Sequence, residues 1–466
     1  MKEYLLKNEY EMDLIFNNNK LFGDGAIGKL KLSPNEIYFS IISTYKDFSH
    51  DQIANSFNKL IQVIHCETLN HQKITLFNST KVGFNGSLGL NSEIYNAKFT
   101  FVSQYCIIGD HFNSLDNDNK IAEITIKQNT IKQWIDKTIV KYNLEEDHSS
   151  TYKVEHTPPF YESKIDENTK INFFISASHN FNAYRDPNFE INYFINYYFS
   201  NSKNINSALT YIHNWEILFS IFMGQTYDVD AISFKTKSTI QECYLYSIRK
   251  KNYPYDLHFL EVPLPCEKVN NSLEKIFLKW YSMNDKMKRS TILFHKALSQ
   301  RYNGEEAFLN AIKAVEGFTD EFNATFFNED TLKKQVIPSI KTNLNDIFND
   351  RKIIYNFTNA LKNTNKHKYN LESKLLKLVE AYGLNFLNLN QKLINHIISY
   401  RNTLSHNGGE EKYKNIDNNI LHEGYLKLMI ILFIAFMQYL EIPDENIEYA
   451  IKRNKILLTL SDNNLL

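Results

Sequence analysis

Arg401, Asn402 and His406 are the residues of this chain whose types and spacing could do chemistry on a phosphodiester. They stand in the stretch Tyr400-Arg401-Asn402-Thr403-Leu404-Ser405-His406-Asn407-Gly408-Gly409. A guanidinium is a fixed positive fork that matches phosphate oxygens, and an imidazole is the side chain that titrates near neutral pH. Together they could hold a scissile phosphate and protonate a leaving 5′ oxygen. With no metal-ligand cluster in the sequence, the simplest attacking group is the 2′-hydroxyl of RNA, which the substrate itself holds in place. DNA would then be inert.

The element that must position these groups is an apolar helix beginning near Leu389. Leu389, Leu393, Ile397 and Ile398 recur at helical spacing, and the two glycines after Asn407 signal its end. Each residue of a helix advances by about 100°, so Arg401 and His406 stand about 140° apart while Asn402 and His406 share a face. One straight helix cannot aim both at one phosphate. Either the last turn loosens into the glycines, or two copies of the stretch meet across a symmetric interface. Near the carboxyl end of the helix the macrodipole favours the imidazolium form of His406, as a general acid requires. Taken by spacing alone, an Arg and a His here are more often a favourable dipole contact than a catalytic pair.

The 466 residues, 43% hydrophobic and 14% aromatic, suffice for two or three globular domains with real cores. With 52 Lys and Arg against 53 Asp and Glu, no global basic field draws the chain onto nucleic acid, so any RNA contact must be local. Abundant Asn, Ile, Lys, Phe and Tyr beside few Gly and Pro point to compositional bias of the source genome. Cys66, Cys106, Cys243 and Cys266 form no Cys-x-x-Cys pair and read as reduced core thiols, with neither a zinc knuckle nor a disulfide framework. The amino terminus lacks the apolar region of a secretory signal. The longest apolar run, Leu428 to Met437, is about half the roughly 20 residues that span a bilayer. The expectation is a cytoplasmic protein without membrane contact, in which that run is a buried helix.

Residues 1–268 read as β-rich, a sandwich or barrel of short antiparallel strands. The runs Ile37 to Thr44, Lys73 to Phe77, Ala97 to Ile108, Ile121 to Ile126 and Lys170 to Ala177 alternate or are β-branched, and polar clusters separate them. One helix interrupts at residues 205–224, where Ala208, Ile212, Trp215, Leu218, Phe219 and Phe222 keep helical spacing and Gly224 closes it. Strands return at Ala231 to Phe234 and Cys243 to Arg249. Pro254, Pro263 and Pro265 cluster within a few residues, and the domain boundary is expected just after them. From 269 to 466 nearly everything is helical, which predicts an all-α bundle. Its most hydrophobic helix, Leu421 to Leu440, is either central or at a subunit interface.

Other candidates carry blander readings. Gly109-Asp110-His111-Phe112, His65-Cys66 and His71 have no partners at metal-ligand spacing and are read as structural. Lys286, Lys288 and Arg289 form a short basic cluster that is either a solvated helix end or an RNA-backbone contact. His367, between Lys366 and Lys368, is equally ambiguous.

The Arg401-Asn402-x-x-x-His406 motif in an all-α domain resembles the HEPN superfamily. The run Glu305-Glu306-Ala307-Phe308-Leu309-Asn310-Ala311-Ile312-Lys313-Ala314-Val315-Glu316-Gly317-Phe318 is similar to the early helix of its ApeA-like group. Ile107-Ile108-Gly109-Asp110-His111-Phe112 and Ile131-Lys132-Gln133-Trp134 resemble the domain paired with that group. The resemblance implies a bacterial anti-phage abortive-infection protein. Its amino-terminal domain would regulate or sense, and its ribonuclease would need no metal or cofactor and act as a homodimer or higher homo-oligomer. Arg401 and His406 would be catalytic, Asn402 the adjacent polar position, and Glu316 an orienting residue for Arg401. RNA, with a tRNA anticodon loop as the family-level expectation, and a phage-derived trigger are the implied partners. Two other readings compete: a non-catalytic module that grips phosphate, and a structural oligomeriser in which the pair does nothing.

Overall fold

The computed structural model describes residues 4–16, 22, 26–46, 53, 55–88, 94–135, 140–144, 150–154, 161–180, 188–237, 242–248, 257–300, 304–319, 329–348, 350–365, 371–405, 416–456 and 459. They fall into two compact units, Met1–Tyr281 and Ser282–Leu466.

The first unit is built on fifteen described strands: β1 (Tyr10–Phe16), β2 (Ala26–Ser33), β3 (Glu36–Lys46), β4 (Ile61–Thr68), β5 (Lys73–Leu88), β6 (Ile94–Ser103), β7 (Tyr105–Ile108), β8 (Ile121–Lys127), β9 (Val140–Leu144), β10 (Ser150–Val154), β11 (Tyr161–Asp166), β12 (Thr169–Asn180), β13 (Asn188–Lys203), β14 (Ala231–Thr236) and β15 (Glu242–Ser247). Thirteen of them form one sheet, and β9 and β10 pair separately. β1, β2, β3, β6, β5 and β4 close an antiparallel ring. The closure depends on β5, whose first half pairs with β4 and β7 and whose second half bends across to β6. Period-two alternation fills the ring: Ile37, Phe39 and Ile41 are fully buried while Ile42 faces out. Phe39 stacks on Phe101 at 4.9 Å. Gly28 is required here, because a Cβ would stand 2.2 Å from the Ser40 carbonyl oxygen.

The remaining strands run β11-β12-β13-β8-β14-β15-β7. Their apolar face is covered by helix α1 (Ile131–Ile135) and helix α2 (Ile205–Met223). The α2 helix lies where its spacing predicts, capped by Asn204 at one end and by left-handed Gly224, φ 66°, at the other. Trp134, Phe173, Trp215, Phe219 and Phe222 pack between helix and sheet. Both buried indoles keep their N–H bonded, Trp134 to the Leu264 carbonyl at 2.9 Å and Trp215 to Gln128 at 2.7 Å.

Three expectations shift. Ala97 to Ile108 is two strands, because at Gln104 the chain leaves β3 and its N–H bonds the Phe77 carbonyl instead. β1, β2 and β13 are not singled out by short apolar runs; β13 carries asparagines on its outer face, which conceal its alternation. The first unit also runs on to Tyr281, beyond the boundary expected just after the prolines. Leu264 donates to the Phe222 carbonyl. The helix that follows, α3 (Leu273–Tyr281), completes the aromatic core of the first unit. Phe277 lies 5.8 Å from Tyr161, Trp280 donates to the Asn214 carbonyl, and the Tyr281 and Tyr197 hydroxyls bond at 2.8 Å. Pro254 and Arg249 lie outside the described residues.

The second unit contains helices α4 (Asp285–Ser299), α5 (Gly304–Thr319), α6 (Ile337–Ile347), α7 (Arg351–Asn365), α8 (Leu371–Ala381), α9 (Gln391–Ser405), α10 (Asn418–Tyr439) and α11 (Asp444–Arg453). A π-turn, Leu332–Val336, precedes α6. Pro338 accounts for it, since its ring cannot donate to and clashes with the carbonyl four residues back. α10 is the axis of the unit, buried without interruption from Gly424 to Met437. By length and composition it could cross a membrane, but 83% of its apolar window is covered by the unit itself. Of the two places open to it on sequence grounds, it takes the central one.

Gly424 sets how closely the neighbours approach. A Cβ there would meet Ile397 of α9 at 3.2 Å and Phe308 of α5 at 3.3 Å, so both helices seat on the same point of α10. Gly424→Val is therefore expected to destabilise the second unit by about 1–3 kcal/mol through overpacking, measured as a lowered midpoint of helix unfolding by circular dichroism.

Candidate functional site

Helix α9 begins two residues later than its apolar spacing suggests. Asn388 is left-handed, φ 45°, and the Asn390 side chain accepts from the Leu393 N–H at 2.9 Å, so the cap falls there. Leu393, Ile394, Ile397, Tyr400 and Leu404 form its buried face. Arg401 and Asn402 follow Tyr400 onto the rim of that face, half-buried and exposed respectively. Tyr400 pins the end of the helix, its hydroxyl accepting the N–H of Asp417, the residue that caps α10. His406, Gly408 and Gly409 lie outside the described residues, as does His367.

The Arg401 guanidinium meets the Glu316 carboxylate, Nη2 to Oε1, at 3.1 Å, and its Nη1 donates to the Asn402 side chain at 3.3 Å. Each charged side chain keeps somewhat under a third of its surface in solvent. Such a pair contributes about 1 kcal/mol or less to stability. Its consequence is orientation: the planar fork is held from one side, and among the described residues Glu316 and Asn402 are its bonding partners. Two residues 85 apart in sequence are thus brought together by the packing of α5 and α9 on α10.

Glu316 is itself fixed from below. Its backbone carbonyl lies in the last turn of α5, where helical partners run out. The buried ammonium of Lys374, on α8, donates to it at 3.1 Å, and Thr319 donates to it at 3.2 Å. Ser290 of α4 donates to the Ala314 carbonyl two residues earlier. Sequence reasoning missed Lys374. The signal was present, because Lys374 occupies a helical position in line with Leu378 where an apolar residue belongs.

The basic cluster sits at the start of α4. Lys286 and Arg289 are exposed and Lys288 is half-buried. A Cβ on Gly317, which follows Glu316, would lie 3.5 Å from Ser290, so this basic turn lies at the same end of the α4–α5 pair as the Arg401–Glu316 contact. Among the described residues, no three His, Cys, Asp or Glu side chains gather as a metal cage needs.

Two histidines of the first unit, His65 and His111, do come together, as a staple between β4 and the turn that follows β7. His65 and His111 stack with ring centroids 4.6 Å apart, His65 bonding the Phe112 carbonyl at 2.9 Å and His111 the Cys66 carbonyl at 3.1 Å. Gly109, φ 128°, turns the chain into this corner, and a Cβ there would press on the Cys243 and Glu242 backbone. Asp110 accepts the His111 N–H, and Lys120 donates to the His111 carbonyl. The four cysteines are buried and unbridged, and burial pushes the Cys243 thiol up to about 12.

Fold and site together define a two-unit protein: a closed and extended β unit, and a helical unit that holds Arg401 and Asn402 near the end of α9. Residues 23–280 match the family described as ApeA N-terminal domain 1, and residues 309–446 match the Apea-like HEPN family. The first match alone covers more than half of the chain, which belongs to the ApeA-like HEPN family. Comparison with curated proteins and with solved structures returned no match.

The His111 pKa is lowered below its usual value, chiefly by burial, with His65 and Lys73 adding repulsion. A histidine depressed in the folded state contributes stability that is full above its unfolded value of about 6.5 and is lost as pH falls through it. All three tryptophans, Trp134, Trp215 and Trp280, lie in the first unit and report its unfolding alone. Denaturation followed by their fluorescence is expected to show lower stability at pH 5.5 than at pH 7.5, and His111→Gln to narrow that difference.

Proposed function

We propose that this protein is a HEPN endoribonuclease acting in anti-phage defence by abortive infection. HEPN domains are in general ribonucleases, and the family assignment of the second unit supports that class of activity here. The observation that carries the reading is the Arg401–Glu316 contact with Asn402 beside it, an oriented phosphate fork at the end of α9.

In the proposed reaction Arg401 draws the non-bridging oxygens of the scissile phosphate onto its free N–H groups, stabilising charge as it develops. The neighbouring 2′-oxygen forms a bond to phosphorus and releases its proton to solvent water, the bond from phosphorus to the 5′ oxygen breaks, and His406 gives its proton to that oxygen. The products are a 2′,3′-cyclic phosphate and a 5′-hydroxyl, and no metal is called for. Asn402 helps hold the guanidinium, Glu316 orients it, and Lys286, Lys288 and Arg289 offer cations to the flanking backbone. Helical spacing alone would set Arg401 and His406 about 140° apart, which supports a homodimer or higher homo-oligomer that assembles the cleft from two copies. An exposed loop, as in a tRNA anticodon, suits the site because its bases and backbone are accessible. The first unit would sense a phage-derived trigger in the cytoplasm. One observation favours a second reading, a non-catalytic module that binds nucleotide, RNA or a protein partner: Glu316 already neutralises part of the Arg401 charge.

Purified protein, with its trigger supplied by infected-cell extract, is expected to cut RNA in EDTA. Arg401→Ala and His406→Ala should each abolish cutting and growth arrest, as read by sequencing RNA ends beside the wild type. Cutting that EDTA stops, or unimpaired variants, would overturn the mechanism; phosphate binding without breakage would select the second reading. Glu316→Gln and Lys374→Met are expected to lower kcat about tenfold or more with little change in KM, since both act on orientation and not on substrate contact.

A further inference from the structure

Helix α7 is divided lengthwise into three sectors, as the advance of about 100° per residue places its side chains. Ile354 and Thr358 are buried on one sector, with half-buried Leu361 beside them. Ile353, Phe357 and Ala360 are exposed on a second. Arg351, Lys352, Tyr355, Asn359 and Lys362 share the third, an arc of about 100° that holds every cation of the helix. The three cations and Tyr355 are all exposed, the phenol ring 63% so. The neighbouring α6 adds exposed Lys341. Among the described residues none of Lys341, Arg351, Lys352 and Lys362 enters an ion pair or gives a side-chain hydrogen bond. Of the two acids on α6 and before α7, Asp350 caps α7 by accepting the Lys352 N–H at 2.8 Å, and Asp346 stands about 140° round its helix from Lys341.

A chain whose Lys and Arg number 52 against 53 Asp and Glu has no general attraction for a polyanion, so cations left unpaired and gathered on one stripe mark where such a partner would be held. The stripe has the two parts that unpaired nucleic acid engages: cations that follow phosphates, and a ring on which a base can stack. Apart from Tyr355 it lacks the apolar side chains that a protein interface buries at its centre. From Arg351 to Lys362 it runs about 16 Å along the helix, roughly five steps of a stacked strand. Its far end is also tethered toward the Arg401 contact. Asn365 is six residues from Leu371, at most about 22 Å, and Leu371 opens α8, whose Lys374 bonds the Glu316 carbonyl. Even the longest path therefore leaves the stripe within roughly fifteen nucleotides of Arg401.

We propose that this stripe of α7 is a docking surface for single-stranded RNA, with Arg351, Lys352 and Lys362 on successive phosphates and Tyr355 stacked on an unpaired base. Asn359 offers its amide to the same strand. The choice of RNA among polyanions rests on the proposed ribonuclease activity. The stripe touches none of the residues assigned to cutting, so it holds substrate and leaves the chemistry to Arg401 and His406.

The test is fluorescence anisotropy of the full chain with a fluorescein-labelled 2′-O-methyl RNA of mixed sequence, about 20 nucleotides long and so longer than a single-module site. That probe has no free 2′-hydroxyl and cannot be cut by the proposed route, which separates binding from cleavage. The double variant Arg351→Gln with Lys362→Gln is expected to weaken binding about tenfold at moderate salt and to reduce the slope of log affinity against log salt by about 1.4, two cations at roughly 0.7 each. Tyr355→Ala should weaken binding about fivefold or more and leave the slope unchanged, because stacking releases no counterions. Ile353→Ser and Phe357→Ser, on the exposed apolar sector, should change neither. All five positions are exposed, and unchanged helical circular dichroism checks that each variant folds. A dissociation constant weaker than about 100 μM for the wild type, affinity unmoved by the stripe variants, or an equal loss in the apolar-sector variants would each overturn the inference. Stripe-dependent binding with no cutting of natural RNA would sink the ribonuclease reading and keep the docking surface, whereas cutting with stripe-independent binding would do the reverse.

Discussion

The approach of α5 and α9 to one glycine on α10 is the constraint on which the second unit depends. A helix buried on all sides has no polar stripe to turn toward solvent, so its neighbours are placed by shape. At Gly424 the missing side chain lets Ile397 and Phe308 close on the helix together. Arg401 stands about one turn beyond Ile397, and Glu316 about two turns beyond Phe308. The guanidinium to carboxylate contact is therefore the visible end of a packing arrangement decided one or two turns away.

Lys374 shows how such a site is stiffened. A carboxylate on the last turn of a helix would share in the fraying of that turn, where backbone carbonyls lack helical partners. Donors from α8 and from Thr319 occupy the Glu316 carbonyl, and Ser290 occupies that of Ala314. Burying an ammonium for this purpose is costly unless its bonds are made. The chain accepts that cost beneath the residue that aims Arg401.

The first unit solves a different problem, that of a long antiparallel sheet with vulnerable edges. β5 settles it by changing partners midway, so that six strands close on themselves while the rest continue as an open, helix-covered layer. The corner around Gly109 locks the transition. There His65 bonds the Phe112 carbonyl and His111 the Cys66 carbonyl, which is why histidines with no metal-ligand spacing still lie together. The open layer then carries two faces of opposite character, an aromatic one under α2 and a polar one around Lys127.

By itself the sequence determined the order of the two halves, the bounds of α2, and the burial of the apolar run within α10. Each of these is written in local periodicity, in a capping residue or in a motif of nearby residues. Only the tertiary structure decided that α3 belongs to the first unit, that β5 closes a ring, and that Lys374 supports Glu316. Those facts join residues tens or more than a hundred positions apart. A local pattern records which face of an element is apolar, but the partner of that face is chosen by packing across the whole chain.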